Sequence, residues 1–146
     1  MRIGVISDTH GLLRPSALVA LAGVSHIVHA GDVGPLSILE ELGRIAPVSA
    51  VKGNVDSLDL PSTVRLEFGG VSVFVVHDRR TLMPRDGHLN HRVVIFGHSH
   101  KALVEEKAGV LWLNPGSAGP RRFRLPVTVA VLDTAGLKVE IISLIL

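Results

Sequence analysis

The chain reads as an α/β protein: a two-sheet β-sandwich flanked by helices, with one outer helical layer reduced. Three observations predict this. Strand and helix patterns alternate over the first third, many short strands with few helices fill the rest, and the strands are aliphatic runs without polar alternation, as in strands covered on both faces. At 146 residues and 47% hydrophobic, the sequence supplies the core of one domain spanning residues 1–146. Aromatics make up only 3%, so Val, Ile, Leu and Ala must build that core.

Ile3–Ser7 is a buried-strand pattern, and Pro15 opens a helix through about Ala22, a favoured first-turn position for proline. His26–Ala30 is the second strand. Pro35 opens a second helix whose Leu36, Leu39 and Leu42 share a face and are read as core, and Val48–Val51 is the third strand. This β-α-β-α-β run implies parallel pairing. After about Thr63 the pattern changes. Val64–Phe68 and Val71–Val76 flank the hairpin signal Gly69-Gly70, and Val93–Phe96, Ala102–Glu105 and Val110–Leu113 come next as short strands. Val127–Leu132 and Lys138–Ile145 close the chain as a hairpin around Thr134-Ala135-Gly136.

Composition removes several classes. No cysteine is present, which excludes disulfide frameworks and thiolate metal sites. Met1-Arg2 runs straight into a patterned strand with no apolar leader, and the longest apolar stretches are too short to span a bilayer, so a cytoplasmic protein without a membrane partner is expected. A net charge of +2 describes an ordinary solvated surface. With no long basic stripe and no aromatic stacking platform, long nucleic acid is not an expected partner.

The chemistry lies at the carboxyl ends of the strands. Asp8-Thr9-His10 stands after the first, Gly31-Asp32 after the second and Gly53-Asn54-Val55-Asp56 after the third. Further along, strands end at His77, at Gly97-His98-Ser99-His100 and at Asn114-Pro115-Gly116-Ser117. Ligands of open α/β sheets bind outside the carboxyl ends of strands, so these side chains aim at one rim. Asp, His and Asn without Cys suit Mn²⁺, Fe²⁺, Zn²⁺ or Mg²⁺, with imidazole tilting the choice to transition metals. There are too many candidates for one four-coordinate ion but enough for two ions about 3.5–4 Å apart sharing a carboxylate. Asp-x-His and His-x-His place alternate residues on one side of an extended chain. Gly31, Gly53 and Gly97 each precede a candidate, where a missing Cβ permits close approach.

Taken in order, Asp8-x-His10, Gly31-Asp32, Gly53-Asn54-x-Asp56, His77, Gly97-His98-x-His100 and Asn114-Pro115-Gly116-Ser117 resemble the motifs of the calcineurin-like metallophosphoesterases, above all their small bacterial and archaeal phosphodiesterase branch. The resemblance implies a cofactor of two divalent ions, Mn²⁺ first, with Fe, Zn, Ni or Mg as alternatives. Asp8, His10 and His100 would hold one ion, Asn54, His77 and His98 the other, and Asp32 would bridge them. A hydroxide between the ions would attack a small phosphate-ester substrate, with Asp32, Asn54 and His98 closest to the chemistry. Asn54 would also touch a phosphate oxygen, and Asp56 would orient its loop rather than a metal.

The resemblance also fixes two departures. Related phosphomonoesterases carry a histidine where this chain has Val55, which cannot protonate a leaving group, so diesters or substrates with good leaving groups, nucleotides among them, are expected. Family members place glycine after the His77 position; here Asp78 stands there, with Asp tolerating a left-handed turn, and Arg79–Arg92 is short and broken by Pro84 and Gly87. A more open cleft should result. A rival role arises from the same likeness, because a subunit of the eukaryotic retromer coat resembles this family and serves mainly as a protein-binding scaffold. The tail Ile141–Leu146 is the candidate apolar patch for that role or for a homo-oligomer contact.

Other residues carry plainer expectations. His26 and His29 are structural, His29 being the better placed to support the site, and His88 and His91 face solvent. Arg79, Arg80, Arg85 and Arg92 are candidates to ring the cleft mouth, as are Arg121, Arg122 and Arg124, with Arg79, Arg121 and Arg122 taken as substrate contacts. Trp112 is a packing residue.

Overall fold

The computed structural model describes residues 1–145. Its strands form two five-stranded sheets. The first contains β1 (Arg2–Ile6), β2 (His26–His29), β3 (Val48–Ala50), β9 (Thr128–Asp133) and β10 (Lys138–Ser143), in the order β10-β9-β1-β2-β3. The second contains β4 (Thr63–Phe68), β5 (Val71–Val76), β6 (Val93–Ile95), β7 (Leu103–Lys107) and β8 (Val110–Asn114), in the order β4-β5-β6-β8-β7. The expected two-sheet α/β architecture is therefore present. Strand limits differ by one or two residues: β3 ends at Ala50, β7 lies later than Ala102–Glu105, and β10 ends at Ser143.

Each sheet contains a parallel trio, at one edge of the first and in the centre of the second. β1, β2 and β3 are parallel, with Val5 opposite Val28 and Val28 opposite Ser49. β5, β6 and β8 are parallel as well, with Phe74 opposite Val94 and Val94 opposite Trp112. Hairpins β4–β5 and β7–β8 complete the second sheet, while β9 and β10 add antiparallel strands to the first.

Side-chain alternation divides the core into layers. Ile3, Val5, Val28, Val73, Val75, Ile95, Leu113 and Leu132 fill the space between the sheets. On the outer face of the first sheet, Ile6, Ile27, Val129 and Val131 are covered by α1 (Pro15–Ala20) and α2 (Leu36–Gly43). Fully burying such aliphatic side chains contributes roughly 1.5–3 kcal/mol each. On the outer face of the second sheet, Phe74, Val76, Val94 and Phe96 have no such helices over them. Three single 3₁₀ turns, Arg79–Thr81, Pro84–Asp86 and His88–Asn90, occupy the connection where a helix was expected to be reduced.

Three expectations need correction. Leu36 is 54% exposed. Pro35 caps α2 from outside the helix, and Ile38 and Leu42, four residues apart, form the buried stripe with Leu39 beside it. His88 is not solvent-facing but buried, its ring set edge-on to Phe74 and Trp112, because the short turns must use it as a lid on the bare sheet. Asp78 is extended (φ −117°), so its turn requires no left-handed residue. In the expected tail patch, Ile142 and Leu144 pack towards α1 and α2, leaving Ile141 and Ile145 as its exposed members; Leu146 lies outside the described residues. No helix among the described residues is long and apolar enough to cross a membrane.

Candidate metal centre

The carboxyl ends of the two parallel trios meet at one rim. Asp8 and His10 come after β1, Asp32 after β2, His77 after β5, and His98 and His100 after β6. Backbone bonds stitch the loops together: Asp8 N–H donates to Gly31 O at 3.0 Å, His10 N–H to Asp32 O at 2.9 Å and Gly97 N–H to His77 O at 2.9 Å.

Asp8 stands at the centre and is fully buried. Its Oδ2 accepts from the Ser7 hydroxyl at 2.7 Å and from His98 N–H at 3.2 Å. Its Oδ1 has no hydrogen-bond partner and faces His100 Nε2 at 3.4 Å, His10 Nε2 at 3.8 Å and His77 Nε2 at 3.9 Å. Burial pushes the Asp8 pKa up, despite the opposing hydrogen bond from Ser7. Asp32 Oδ2 lies 3.2 Å from His77 Nε2 and 3.5 Å from His10 Nε2, between the two histidines, while Oδ1 accepts from Val55 N–H at 3.1 Å. Two groups of ligand atoms result, each within 4.8 Å: Asp8, His10 and His100, and Asp8, Asp32 and His77. The first is the trio expected to hold one ion.

Asn54 and His98 form a separate, more open flank. His98 Nε2 is 2.8 Å from Arg80 Nη2, and a guanidinium can only donate. His98 Nδ1–H therefore donates to Asn54 Oδ1 at 2.9 Å. Asp78 pairs with Arg80 and lies 3.7 Å from His98 Nε2; the Arg80 hydrogen bonds hold its carboxyl down to about 2. Beside this flank opens a cavity of 580 Å³ lined by Asp78, Arg80, Phe96, His98, Lys101 and Leu103.

The supporting residues explain the precision of the buried side. Asp56, expected to orient its loop, accepts from four backbone donors: Asp32 N–H at 2.9 Å, Val33 N–H at 2.8 Å, Gly34 N–H at 3.2 Å and Gly53 N–H at 2.8 Å. His77 Nδ1–H donates to Ala30 O at 2.7 Å, which fixes the tautomer and leaves Nε2 free to accept. His29 accepts from Gly31 N–H at Nδ1 and donates through Nε2 to the Thr9 hydroxyl, which donates to Val33 O. Complete burial lowers the His29 pKa to about 3, so it is neutral. Burial also lowers the His100 pKa, and the nearby Arg122 charge lowers it further. Asn114, at the start of the Asn-Pro-Gly-Ser turn, donates to Gly97 O and the Ser99 hydroxyl, bracing the His98–His100 loop.

Backbone strain is concentrated here. Asp8, His10, Asp32, His98 and His100 all have left-handed φ, between 46° and 72°. Such conformations cost of order 1–3 kcal/mol each and persist where surrounding bonds over-determine them. All five are Asp or His, types that enter the left-handed region more readily than most. The expected close approach at glycine is present: a Cβ at Gly31 would lie 2.6 Å from His77 Nδ1, and one at Gly97 2.8 Å from Asp8 Oδ2.

The basic residues divide. Arg79 stacks its guanidinium over Phe96 at 4.6 Å and Trp112 at 5.7 Å, and it also lines the cavity beside His98. Arg92 binds Gly109 O and Glu106, away from the mouth where it was expected. Arg121, Arg122 and Arg124 are exposed on the loop after the Asn-Pro-Gly-Ser turn. Ser7 and Thr9 are the contributors sequence reasoning missed; they flank Asp8, a position that could have drawn notice. Arg80, expected at the cleft mouth, reaches further than expected, to His98.

The donor set fits divalent ions. Asp8 Oδ1, His10 Nε2 and His77 Nε2 are buried, mutually close and without hydrogen-bond partners, a state that costs free energy unless a cation meets them. The model for the calcineurin-like phosphoesterase superfamily domain matches residues 1–136. The chain belongs to this superfamily. A probable metallophosphoesterase from Methanocaldococcus jannaschii is 39% identical over 131 residues, covering 80% of this chain and 68% of that protein. Among solved structures, an archaeal phosphodiesterase superposes with a TM-score of 0.83 at 26% identity, covering 98% of this chain and 99% of its own. Vps29 from Entamoeba histolytica has a TM-score of 0.78 at 23% identity, with 98% and 99% covered, a likeness of fold. Family membership and the candidate ligand groups support a metal-dependent hydrolase of phosphate esters.

Proposed function

We propose that the protein is a dinuclear metal-dependent phosphodiesterase acting on small diesters. The observation that carries this reading is the convergence of Asp8, Asp32, His10, His77 and His100, from both sheets, on one cluster in which Asp8 Oδ1, His10 Nε2 and His77 Nε2 are buried without a hydrogen-bond partner. Asp8, His10 and His100 would hold one ion, Asn54, His77 and His98 the second, and Asp32 would lie between them. When bound, two divalent ions, Mn²⁺ first among them, supply an acidified water as nucleophile and neutralise charge on the phosphorus.

The chain's own residues then set what is hydrolysed. His77 presents Nε2 because its Nδ1–H is engaged by Ala30 O, and burial lowers the His100 pKa below its ordinary value, which favours the neutral imidazole that a metal needs. Asn54 would give its amide to a phosphate oxygen, and Arg121 and Arg122 would attract the anionic ester. Val55 is 65% exposed beside Asn54 and offers no proton to a departing alkoxide. This favours diesters with stable leaving groups. A scaffold role finds less support, since the described part of the tail offers no broad apolar face.

The test is hydrolysis of bis-p-nitrophenyl phosphate with added Mn²⁺, wild type against Asp32→Asn. Metal-dependent turnover that falls by about a thousandfold in the variant is expected, equivalent to ~4 kcal/mol of transition-state stabilisation. A folded, metal-binding protein without activity across transition metals would overturn the reading.

A further inference from the structure

The chain contains four phenylalanines, one tryptophan and no tyrosine. Phe68, Phe74 and Phe96 are buried and Trp112 is half-buried under Arg79. Phe123 is different: it is 96% exposed. It sits at the tip of a turn closed by Leu125 N–H donating to Arg122 O at 3.1 Å, with φ 53°, a conformation that a bulky residue adopts only at a cost. The turn therefore holds the ring outward against both the hydrophobic effect and the backbone's preference.

Its surroundings indicate a ligand. Arg121, Arg122 and Arg124 flank the ring, all exposed, with no acidic residue between Gly119 and Pro126. The loop is anchored at the candidate centre: Gly119 lies so close to the Asp8 and Thr9 carbonyls that a Cβ there would clash, and its own carbonyl accepts from Arg14. Arg122 is near enough to His100 for its charge to be felt there. An exposed apolar ring with three exposed arginines beside it in sequence matches a ligand that is planar and aromatic at one end and anionic at the other. Stacking serves the first part and charge-assisted hydrogen bonds the second.

We infer that Phe123 and the arginines beside it form a nucleotide subsite, in which the base stacks on Phe123 while Arg122 guides the phosphodiester to the centre. This rests on the phosphodiesterase reading and names its substrate class as nucleotide diesters. It also supplies the aromatic platform that the sequence alone did not reveal.

Two measurements test it. The first compares kcat/KM for thymidine 5′-p-nitrophenyl phosphate with that for methyl p-nitrophenyl phosphate, which has no base. Phe123→Ala should lower the ratio about tenfold and Phe123→Trp should restore it, in line with the worth of one stacked base. The second is calorimetric binding of thymidine 5′-monophosphate, which needs no turnover and should weaken about tenfold in Phe123→Ala. An unchanged ratio with unchanged binding would overturn the subsite while leaving the phosphodiesterase reading intact. Nucleotide binding that depends on Phe123 without hydrolysis of either diester would sustain the subsite and remove that reading. Concentration-dependent self-association abolished by Phe123→Ala, with nucleotide binding unaffected, would reassign the ring to a contact between copies.

Discussion

The two flanks of the centre are built on different principles. Asp8, Asp32, His77 and His100 are buried, with His10 half-buried beside them, and their loops are pinned by Asp56, His29 and Asn114. Asn54 and His98 stand towards solvent and are held by each other and by the exposed Asp78–Arg80 pair. Buried hydrogen bonds are shielded from the ionic surroundings, whereas an exposed ion pair is screened and contributes little. The buried flank is thus organised before any ion arrives. On the proposed two-ion reading the open flank would have to exchange Arg80 for an ion, so the ion on that side should bind more weakly.

The largest expected break in this contrast comes from removing the brace of the buried flank. Asp56→Ala would leave four backbone donors without their acceptor, and we expect a loss of about 3 kcal/mol in stability with a 10- to 100-fold drop in metal affinity. Urea unfolding and Mn²⁺ calorimetry measure both, and wild-type values would show that the loop holds itself.

A second test uses His29. Its folded pKa of about 3 lies below the ordinary 6.5, so its neutral form stabilises the fold fully above pH 6.5 and that contribution is lost as pH falls towards 3. Relative to His29→Gln, the metal-free wild type should lose about 1.4 kcal/mol more per pH unit within that window. Parallel stability profiles for the two proteins would mean that His29 is not buried neutral.

The smallest effect belongs to the open flank. Val55→His should raise hydrolysis of an alkyl monoester such as glycerol 2-phosphate relative to the bis ester by up to about a hundredfold, the lower end of what a single positioned proton donor contributes. A constant ratio in a folded variant would show that this rim position does not reach the leaving group.

Much of this was legible in the sequence because ligands and strands share a grammar. Aliphatic runs ending at Asp8 and Asp32 disclosed the first parallel trio, and with those ending at His77 and His98 they disclosed the rim; the parallel pairing of β5, β6 and β8 emerges only in the structure. Leu36 misled because its spacing to Leu39 and Leu42 suits one helical face, yet at the first residue of α2 it overhangs solvent while Ile38 takes the inner position. His88 misled because burial there depends on a missing layer, a property of the whole sheet rather than of its neighbours in sequence. The left-handed conformations of the candidate ligands, the reach of Arg80 to His98 and the exposure of Phe123 depend on backbone angles and loop shape, which residue spacing does not encode.

The most direct test of a two-ion centre is a Mn²⁺ titration of the metal-free protein, monitored by calorimetry and by bis-p-nitrophenyl phosphate hydrolysis in the same samples. Two equivalents should bind, the first more tightly, with activity rising only as the second is taken up. Activity complete at one equivalent, or indifferent to metal, would contradict a two-ion centre spanning both flanks.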